Sequence, residues 1–295
     1  MSDTVGSIAE LWRFPVKSLL GEKLDEAELA EHGLVGDRAY ALIDAETGKV
    51  VSAKSVKLFP DLFGCRATFV EPPEAKGEVP PVQITLPDGS SVTSDVAGSD
   101  ATLSRFFGRD VYLGTAAPED FTIDQYHPDL EDIDPAGHRD TVVEQKLGSA
   151  FFVEAGAPSP VPIGAFFDLF PISVLTTSTL DRLNELRPES RFDARRFRMN
   201  IIVNAEQEGF VENDWIGRSL RIGDRVKLRM AIPDPRCVMP TLAQEELPKD
   251  SEILRTLAQH NRLQVGDAGR FPCAGAYAVV EGTGTLGTGD SVVLQ

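Results

Sequence analysis

The chain has 295 residues, of which 42% are apolar and 25% charged, a balance typical of a folded globular protein. Its formal net charge of −17 argues against a nucleic-acid partner, because a phosphate backbone would be repelled at long range. We expect neither a membrane span nor a secretory signal, since no run of about 18 apolar residues occurs and the N-terminus lacks a basic start before an apolar core.

The first part of the chain shows a pattern of short strands separated by turn residues. Strand-like segments occur at 8–14, 39–43, 49–52, 82–86 and 90–94. The sequence Pro87-Asp88-Gly89 between the last two is typical of a hairpin turn. Strands at this spacing favour a barrel or sandwich over alternating β and α units.

Residues 119–140 differ in character, with eight carboxylates and a single base, Arg139. Such a run repels itself, which predicts a solvated loop or linker, and we place a module boundary in it. Calcium binding is the alternative, but the loop with a central glycine and regularly placed carboxylates is missing.

The second part mixes strands with a few helices. Ser178-Thr179-Leu180-Asp181 resembles a capping box, so a helix should begin there and end before Pro188. The other expected elements are a buried apolar segment at 164–175, strands at 200–204, 218–223, 225–231, 275–281 and 291–294, and a helix at 251–261. We therefore predict a mainly β or α+β fold with two modules, residues 1–125 and 126–295.

The cysteines indicate a reducing environment. Cys65, Cys237 and Cys273 are odd in number and have no CxxC spacing, so neither a disulfide framework nor a tetrahedral zinc site is expected. We predict a cytoplasmic protein in which Cys65 and Cys273 are structural.

Cys237 has a more reactive setting. Pro233 and Pro235 should stop the strand at 225–231, and the chain then presents Arg236 and Cys237. A thiol past a strand end and beside a fixed cation favours the thiolate, which attacks electrophiles or binds a soft metal. The alternative is a small buried apolar residue.

Several cations and hydroxyls occur where strands end or begin: Lys17, Ser18, Arg38, Thr176, Thr177, Arg198 and Arg236. Such donors, together with the free N–H groups of a helix start, are what a phosphate needs. Taken singly, each is also explained as a surface charge or a helix cap. No glycine-rich phosphate loop is present, which disfavours ATP or NAD. A Cys–His hydrolase is disfavoured too, because none of the four histidines lies in a catalytic signature.

Several motifs resemble one known family. LWRFPVKSLLGE and GLVGDRAYALID resemble the N-terminal β-barrel module that accompanies MOSC domains. DLFPISVLTTSTLDRLNEL, RFRMNIIV, WIGRSLRIGD, PDPRCVMPT and the closing AGAYAVV and GTGTLGTGDSVVL resemble the MOSC domain itself. The resemblance covers most of the chain outside 71–126. Within the family, the chain is similar to the amidoxime-reducing components in particular. It assigns residues 1–125 to the N-terminal module and 126–295 to a MOSC-type barrel.

The resemblance implies a molybdenum cofactor, a pterin dithiolene with a phosphate. Cys237 would be the thiolate on the metal, and Lys17, Ser18 and Arg38 would hold the phosphate and its surroundings. The matching positions that would line the cofactor are Thr176, Thr177, Arg198, Asn200, Arg236 and Tyr277. Met199 stands where the family often has proline, which removes a backbone restraint beside Arg198. Pyridoxal phosphate binding also accompanies the family name.

By the same resemblance, the protein would reduce N-hydroxylated small molecules such as amidoximes, hydroxylamines and N-hydroxy bases. Electrons would come from a separate protein, since the sequence lacks a cysteine-rich ferredoxin segment. The alternative function is a carrier of molybdenum cofactor or sulfur in which Cys237 bears a persulfide. A folded relative without activity is the third possibility.

Overall fold

The computed structural model of the protein describes residues 3–295, which contain 36% strand and 17% helix. The elements of the first half are β1 (Asp3–Arg13), β2 (Glu22–Leu24), β3 (Glu26–Ala30), β4 (Gly33–Leu34), β5 (Ala41–Asp44), β6 (Arg66–Phe69), β7 (Val82–Thr85), β8 (Ser91–Thr93), α1 (Ser99–Phe107), β9 (Val111–Gly114), β10 (Thr122–His127), β11 (Thr141–Lys146) and α2 (Gly148–Glu154). The second half has β12 (Ile172–Thr176), α3 (Thr177–Leu186), α4 (Ala194–Phe197), β13 (Ile201–Ala205), β14 (Ser219–Ile222), β15 (Val226–Pro235), α5 (Glu252–His260), β16 (Arg262–Gln264), β17 (Arg270–Gly282), β18 (Gly284–Gly287) and β19 (Ser291–Leu294). The predicted mainly β fold with a few helices is confirmed.

Seven strands close into a barrel, in the order β12-β13-β1-β19-β14-β15-β17, and β17 pairs back with β12. Alternate residues of each strand point inward and form one apolar core, which includes Leu11, Val174, Ile201, Leu228 and Ala276. The first strand of the chain thus belongs to a barrel whose other members all lie beyond residue 171. This pairing fixes the end of β1, and the segment that follows it, against the barrel rim.

A second apolar core lies under the small sheets β5–β9 and β6–β7–β8. Leu19, Leu42, Phe63, Ile84 and Leu103 are among its buried side chains. The expected hairpin around Pro87-Asp88-Gly89 is present as β7 and β8. The division of the chain into 1–125 and 126–295 stays a prediction; the proposed boundary falls inside β10.

The acidic stretch is not a simple linker. Residues 122–127 form β10, which pairs with β11, so the predicted loop structure is limited to 119–121 and 128–140. Cations offset the expected self-repulsion, because Lys49 binds Asp124 at 2.7 Å and Arg262 binds Asp132 at 2.7 Å. Carboxylates paired in this way allow a strand to form where the charge run alone predicts none.

The prolines before Cys237 do not end their strand where predicted. β15 continues to Pro235, and its register against β17 shifts between Met230 and Ile232 and again between the two prolines. Pairing with β14 has already ended at Arg229, so in this segment the strand pairs with β17 alone. Proline is tolerated at such strand edges and irregularities because few N–H groups are needed there.

No helix among residues 3–295 has both the length and the apolar composition that crossing a membrane requires.

Candidate functional site, a cation-lined cleft beside Cys237

A cleft of about 160 Å³ opens where the barrel rim meets the N-terminal segment and the β10–β11 hairpin. Three parts of the chain line it: residues 17–54 of the N-terminal segment, 125–147 of the hairpin and its end, and 168–277 of the barrel side. These parts are far apart in sequence, and the pairing of β1 with β13 brings the first to the third.

Eight of the residues predicted for the site line this cleft: Lys17, Ser18, Arg38, Arg198, Asn200, Arg236, Cys237 and Tyr277. Thr176 and Thr177 are not among its lining residues. The Thr176 hydroxyl is fully buried, accepts from the Thr179 N–H at 3.1 Å as the cap of α3, and donates to Glu212 at 2.7 Å. The helix therefore starts earlier than the predicted capping box, and its cap is used internally.

The backbone is strained at three of these residues. Ser18, Arg38 and Arg198 have φ values of 66°, 51° and 55°, a left-handed conformation that residues other than glycine adopt rarely. Such strain persists only where the surroundings enforce it, and it is concentrated at functional sites. Here it turns three polar side chains toward one cleft.

The Asp37 carboxylate, which is fully buried, holds the two halves of the site together. It accepts from the Phe14 N–H at 2.7 Å and from the Asn200 amide at 2.9 Å, and it pairs with the Arg38 guanidinium. Asn200 also accepts from the Ser173 hydroxyl at 3.0 Å. A buried carboxylate with this many donors fixes its partners because leaving any of them unpaired is costly.

Arg198 is 7% exposed and has no ion-pair partner within residues 3–295. It donates to the Leu19 carbonyl at 2.6 Å, and its guanidinium lies 4.3 Å from the Phe14 ring centroid. Burial and the neighbouring Arg38 charge lower the pKa of Arg198. An anion in the cleft would satisfy a cation that the protein itself leaves unpaired.

Asp168 joins two buried lysines. Its carboxylate pairs with Lys17 and, at 2.9 Å, with Lys54. Lys17 also donates to the Phe166 carbonyl at 3.0 Å. Burial lowers the pKa of Lys17 to about 8, and Asp168 offsets this only in part. Burial would raise the pKa of Asp168, but both lysine charges outweigh it and hold that pKa well below its usual range.

Arg236 and Asp234 form a second buried pair, with 2.5 Å between Nη1 and Oδ2. Arg236 also donates to the Phe197 carbonyl at 2.6 Å. Asp234 Oδ1 and Arg236 Nε are buried and have no partner within residues 3–295. Burial raises the pKa of Asp234 to about 6, against the attraction of Arg236 and of the Tyr277 hydroxyl. Each of the two side chains thus keeps one polar atom without a partner.

The three thiols have different surroundings. Cys65 and Cys273 are fully buried, and burial raises the pKa of each to about 12, so they remain neutral thiols. Cys237 is half-buried and lines the cleft. It is the thiol of the described chain that a ligand in the cleft could reach, whereas Cys65 and Cys273 fit their predicted structural role.

The cleft also contains groups that the sequence did not indicate: Lys54, Asp168 and Asp234, with His127 and Asp134 from the hairpin. Within residues 3–295, the five cations of the cleft pair with only three carboxylates, Asp37, Asp168 and Asp234. These five cations are Lys17, Lys54, Arg38, Arg198 and Arg236. The cation group therefore has positive charge to spare in a protein whose net charge is −17. At distances within the screening length, such local charge decides what binds.

Comparison with known proteins agrees with this architecture. The MOSC N-terminal beta barrel domain matches residues 5–111, and the MOSC domain matches residues 164–293. The chain belongs to the MOSC-domain proteins. Mitochondrial amidoxime-reducing component 1 from Homo sapiens is 25% identical over 98% of this chain and 83% of its own length. Mitochondrial amidoxime reducing component 2 from Homo sapiens is 26% identical over the same shares. Among solved structures, the YUAD protein from Bacillus subtilis is a distant match, with a TM-score of 0.45 and 11% identity over 100% of this chain and 97% of that one.

Each matched part of this MOSC-domain protein supplies one wall of the cleft. The N-terminal match supplies Lys17, Arg38 and Lys54, and the MOSC match supplies Arg198 and Cys237. Residues 112–163 lie outside both matches, and they contain the hairpin with His127 and Asp134.

Proposed function

We propose that this MOSC-domain protein is a molybdenum-dependent oxidoreductase that reduces N-hydroxylated small molecules with electrons from a separate protein. The observation that carries the proposal is the meeting of a half-buried free thiol, Cys237, with an excess of buried cations in one cleft. The names of the amidoxime-reducing relatives support the reaction class. The substrate within this class and the electron donor are parts of the proposal.

The residues present fit a molybdenum cofactor. Cys237 supplies the soft thiolate ligand that such a metal prefers. Arg198, without a carboxylate, and Lys17, with a shared one, suit the phosphate of the pterin. The unpartnered Nε of Arg236 is a donor that needs an acceptor from outside the chain. Ser18, Arg38, Asn200 and Tyr277 complete the lining that would orient the cofactor.

When bound, the cofactor supplies the two electrons that break the N–O bond of the substrate. The balanced reaction converts a hydroxylamine R–NH–OH, two electrons and two protons into the amine R–NH₂ and water. The protein must therefore deliver protons to a partly closed site. Asp234 can hold a proton at Oδ1, which is buried, unpartnered and part of the cleft wall.

Asp168 has a positioning role in this scheme. By pairing with both Lys17 and Lys54 it keeps two ammonium groups in one place, where their repulsion would otherwise separate them. The two ammonium groups are then already in position for an anion, which reduces the entropic cost of ordering their side chains when the anion binds.

The carrier hypothesis rests on the same thiol. A half-buried Cys237 open to the cleft could bear a persulfide instead of a metal, and the cleft would then deliver sulfur or cofactor to a partner. Sulfur released by cyanide from protein that holds no molybdenum would favour this function.

Reduction of an amidoxime by the purified protein tests the proposal. The protein is produced in a host that makes molybdenum cofactor and is supplied with a chemical reductant, so that no partner is required. We expect turnover by wild type and by Cys65→Ala, and a loss of more than about 100-fold in Cys237→Ala, since even indirect partners of a metal ligand are worth 10- to 100-fold. Equal turnover by both variants would contradict the proposal.

A further inference from the structure

We infer that His127, Asp134 and His138 form a binding site for a divalent transition-metal ion at the edge of the cleft that Cys237 also lines. One ligand atom from each residue lies within 4.8 Å of the other two. His127 ends β10, and the other two lie in the loop 128–140 that leads to β11. These residues fall between the two family matches, so neither match assigns them a role.

One of the two nitrogen–oxygen distances suits a metal of zinc size, and the other is a direct hydrogen bond that a metal would replace. His138 Nδ1 and His127 Nδ1 lie 2.5 and 3.5 Å from Asp134 Oδ2. Tetrahedral ligands with bonds of about 2.1 Å to zinc are about 3.4 Å from one another. His127 is thus already in place, and His138 needs to move by about 1 Å, which its 41% exposed side chain on a loop permits.

The carboxylate is fixed by its own loop. Asp134 Oδ1 accepts from the Ala136 N–H at 3.1 Å, and Oδ2 accepts from the His138 N–H at 3.2 Å. The loop is in turn packed on the barrel side, because Leu130 and Ile133 form an apolar cluster with Leu254 of α5. These hydrogen bonds and this packing hold the loop in place, so little conformational entropy is lost when its side chains bind a metal.

The second ring nitrogen of His127 also has a suitable neighbour. The Gln125 side-chain amide lies 3.3 Å from Nε2. The atom at that distance is the amide nitrogen, which as placed donates to Nε2. A 180° flip of the amide brings its oxygen to the ring, where it accepts the Nε2 proton and leaves Nδ1 free to bind a metal.

Two imidazoles and one carboxylate leave at least one coordination position open, which is the pattern of catalytic rather than structural metal sites. His127 and Asp134 both line the cleft. The open position therefore takes water or an oxygen- or nitrogen-containing group of a molecule in the cleft. The site uses none of the residues assigned to the molybdenum cofactor, so either proposal can fail without the other.

Zinc titration of the full-length protein tests the site, with cobalt as a spectroscopic probe. The protein is prepared without a histidine tag, without molybdenum cofactor and as Cys237→Ala, which removes the accessible thiol. We expect one zinc ion per chain, competition with a chromophoric chelator, and a rise in Tm on zinc addition. In this background His138→Ala should weaken binding at least about tenfold, and His32→Ala, at an exposed histidine in the turn between β3 and β4, should leave it unchanged.

Cobalt absorption separates the outcomes further. A spectrum of nitrogen and oxygen ligation without thiolate-to-metal charge transfer supports the site. Zinc binding that is absent, that survives His138→Ala, or that is lost equally in His32→Ala would overturn it, as would a thiolate band from Cys65 or Cys273. Since His138 is exposed, unfolding of its variant is not expected, and Asp134→Asn provides a second test in which the loop keeps an acceptor for the Ala136 N–H.

Discussion

Arg195 and Arg198 are three residues apart, yet their surroundings are opposite. Arg195 lies on the outer side of α4 and pairs with Asp193, Glu245 and Glu246 at 2.8, 2.8 and 2.6 Å. Arg198 lies just past the helix, is buried in the cleft, and has no carboxylate within residues 3–295. One arginine is satisfied by the protein, and the other is left to a ligand.

The carboxylates repeat this contrast. Hydrogen bonds from Arg195 lower the pKa of Asp193, against its partial burial. Burial raises the pKa of Asp234, which keeps one oxygen unpartnered. The arginine-rich segment 187–198 is therefore not one anion site. Its outer members form surface ion pairs, which contribute little, and its last member serves the cleft.

Among the charged residues compared above, the largest expected effect concerns Asp234. If its Oδ1 holds a proton for the reaction, Asp234→Asn should lower the rate of amidoxime reduction about 100-fold, the usual scale of general acid catalysis, with molybdenum content unchanged. The wild-type rate should also fall as pH rises through the pKa of Asp234, because a deprotonated carboxyl has no proton to give. That pKa is about 6 without ligands, and a bound anion raises it.

Asp193→Asn is the matched control, since the Asp193 carboxylate is paired with Arg195. It should change neither the rate nor the pH profile. A pH profile that is identical in wild type and Asp234→Asn would rule out the proton role.

The next largest effect is expected from Arg198, the arginine of the cleft. Arg198→Met should weaken retention of the cofactor by about 10- to 100-fold, since a hydrogen bond to a charged group contributes about 1.5–3 kcal/mol. Because Arg198 is a buried charge without a carboxylate, the same change should not lower the free energy of unfolding of the cofactor-free protein. Pterin content and denaturant unfolding of the same preparations measure both quantities.

A smaller effect is expected from pH. Lys17 is charged below its pKa of about 8 and loses its proton above it, so its attraction for an anion disappears as pH rises. Cofactor retention should fall above pH 8, by at most about tenfold per pH unit, because one proton is involved. Pterin fluorescence released between pH 7 and 10 measures this, and Lys17→Met should retain cofactor poorly at every pH. Release that is independent of pH in wild type would exclude a role for the Lys17 charge.

The smallest effect should come from Arg195→Gln. Its carboxylate partners are half-buried or exposed, so we expect a loss of less than about 1 kcal/mol in the free energy of unfolding and no change in cofactor content. A large loss of cofactor in this variant would show that Arg195 also contributes to cofactor binding, contrary to the contrast drawn between it and Arg198.

The sequence predicted much of the fold because the barrel strands have clear apolar alternation and turn residues. It also indicated the cations at strand ends, since Lys17, Arg38 and Arg198 follow elements that the pattern shows. It singled out Arg198 and not Arg195, but only the packed structure shows that Arg195 meets carboxylates and that Arg198 meets none within residues 3–295. It could not separate a helix cap from a ligand residue at Thr176, since both require a hydroxyl at a helix start.

At Asp168 the sequence indicates a buried charge but does not reveal the residues that pair with it. It is the single charge in the apolar run 165–175, and a charge in such a run implies a buried partner. Its partners, Lys17 and Lys54, lie more than 110 residues earlier, and no periodicity connects positions so far apart. The extension of the strand to Pro235 was missed for a local reason. Proline interrupts the pairing of a strand only where a backbone N–H donor is needed at its position.

Molybdenum and pterin content, measured together on protein from a host that makes the cofactor, test the central claim most directly. We predict near-equal amounts of both in wild type and Cys65→Ala, loss of metal in Cys237→Ala, and loss of both in Arg198→Met. Folded wild-type protein that contains neither molybdenum nor pterin, or Cys237→Ala and Arg198→Met that keep the full amount of both, would contradict the account.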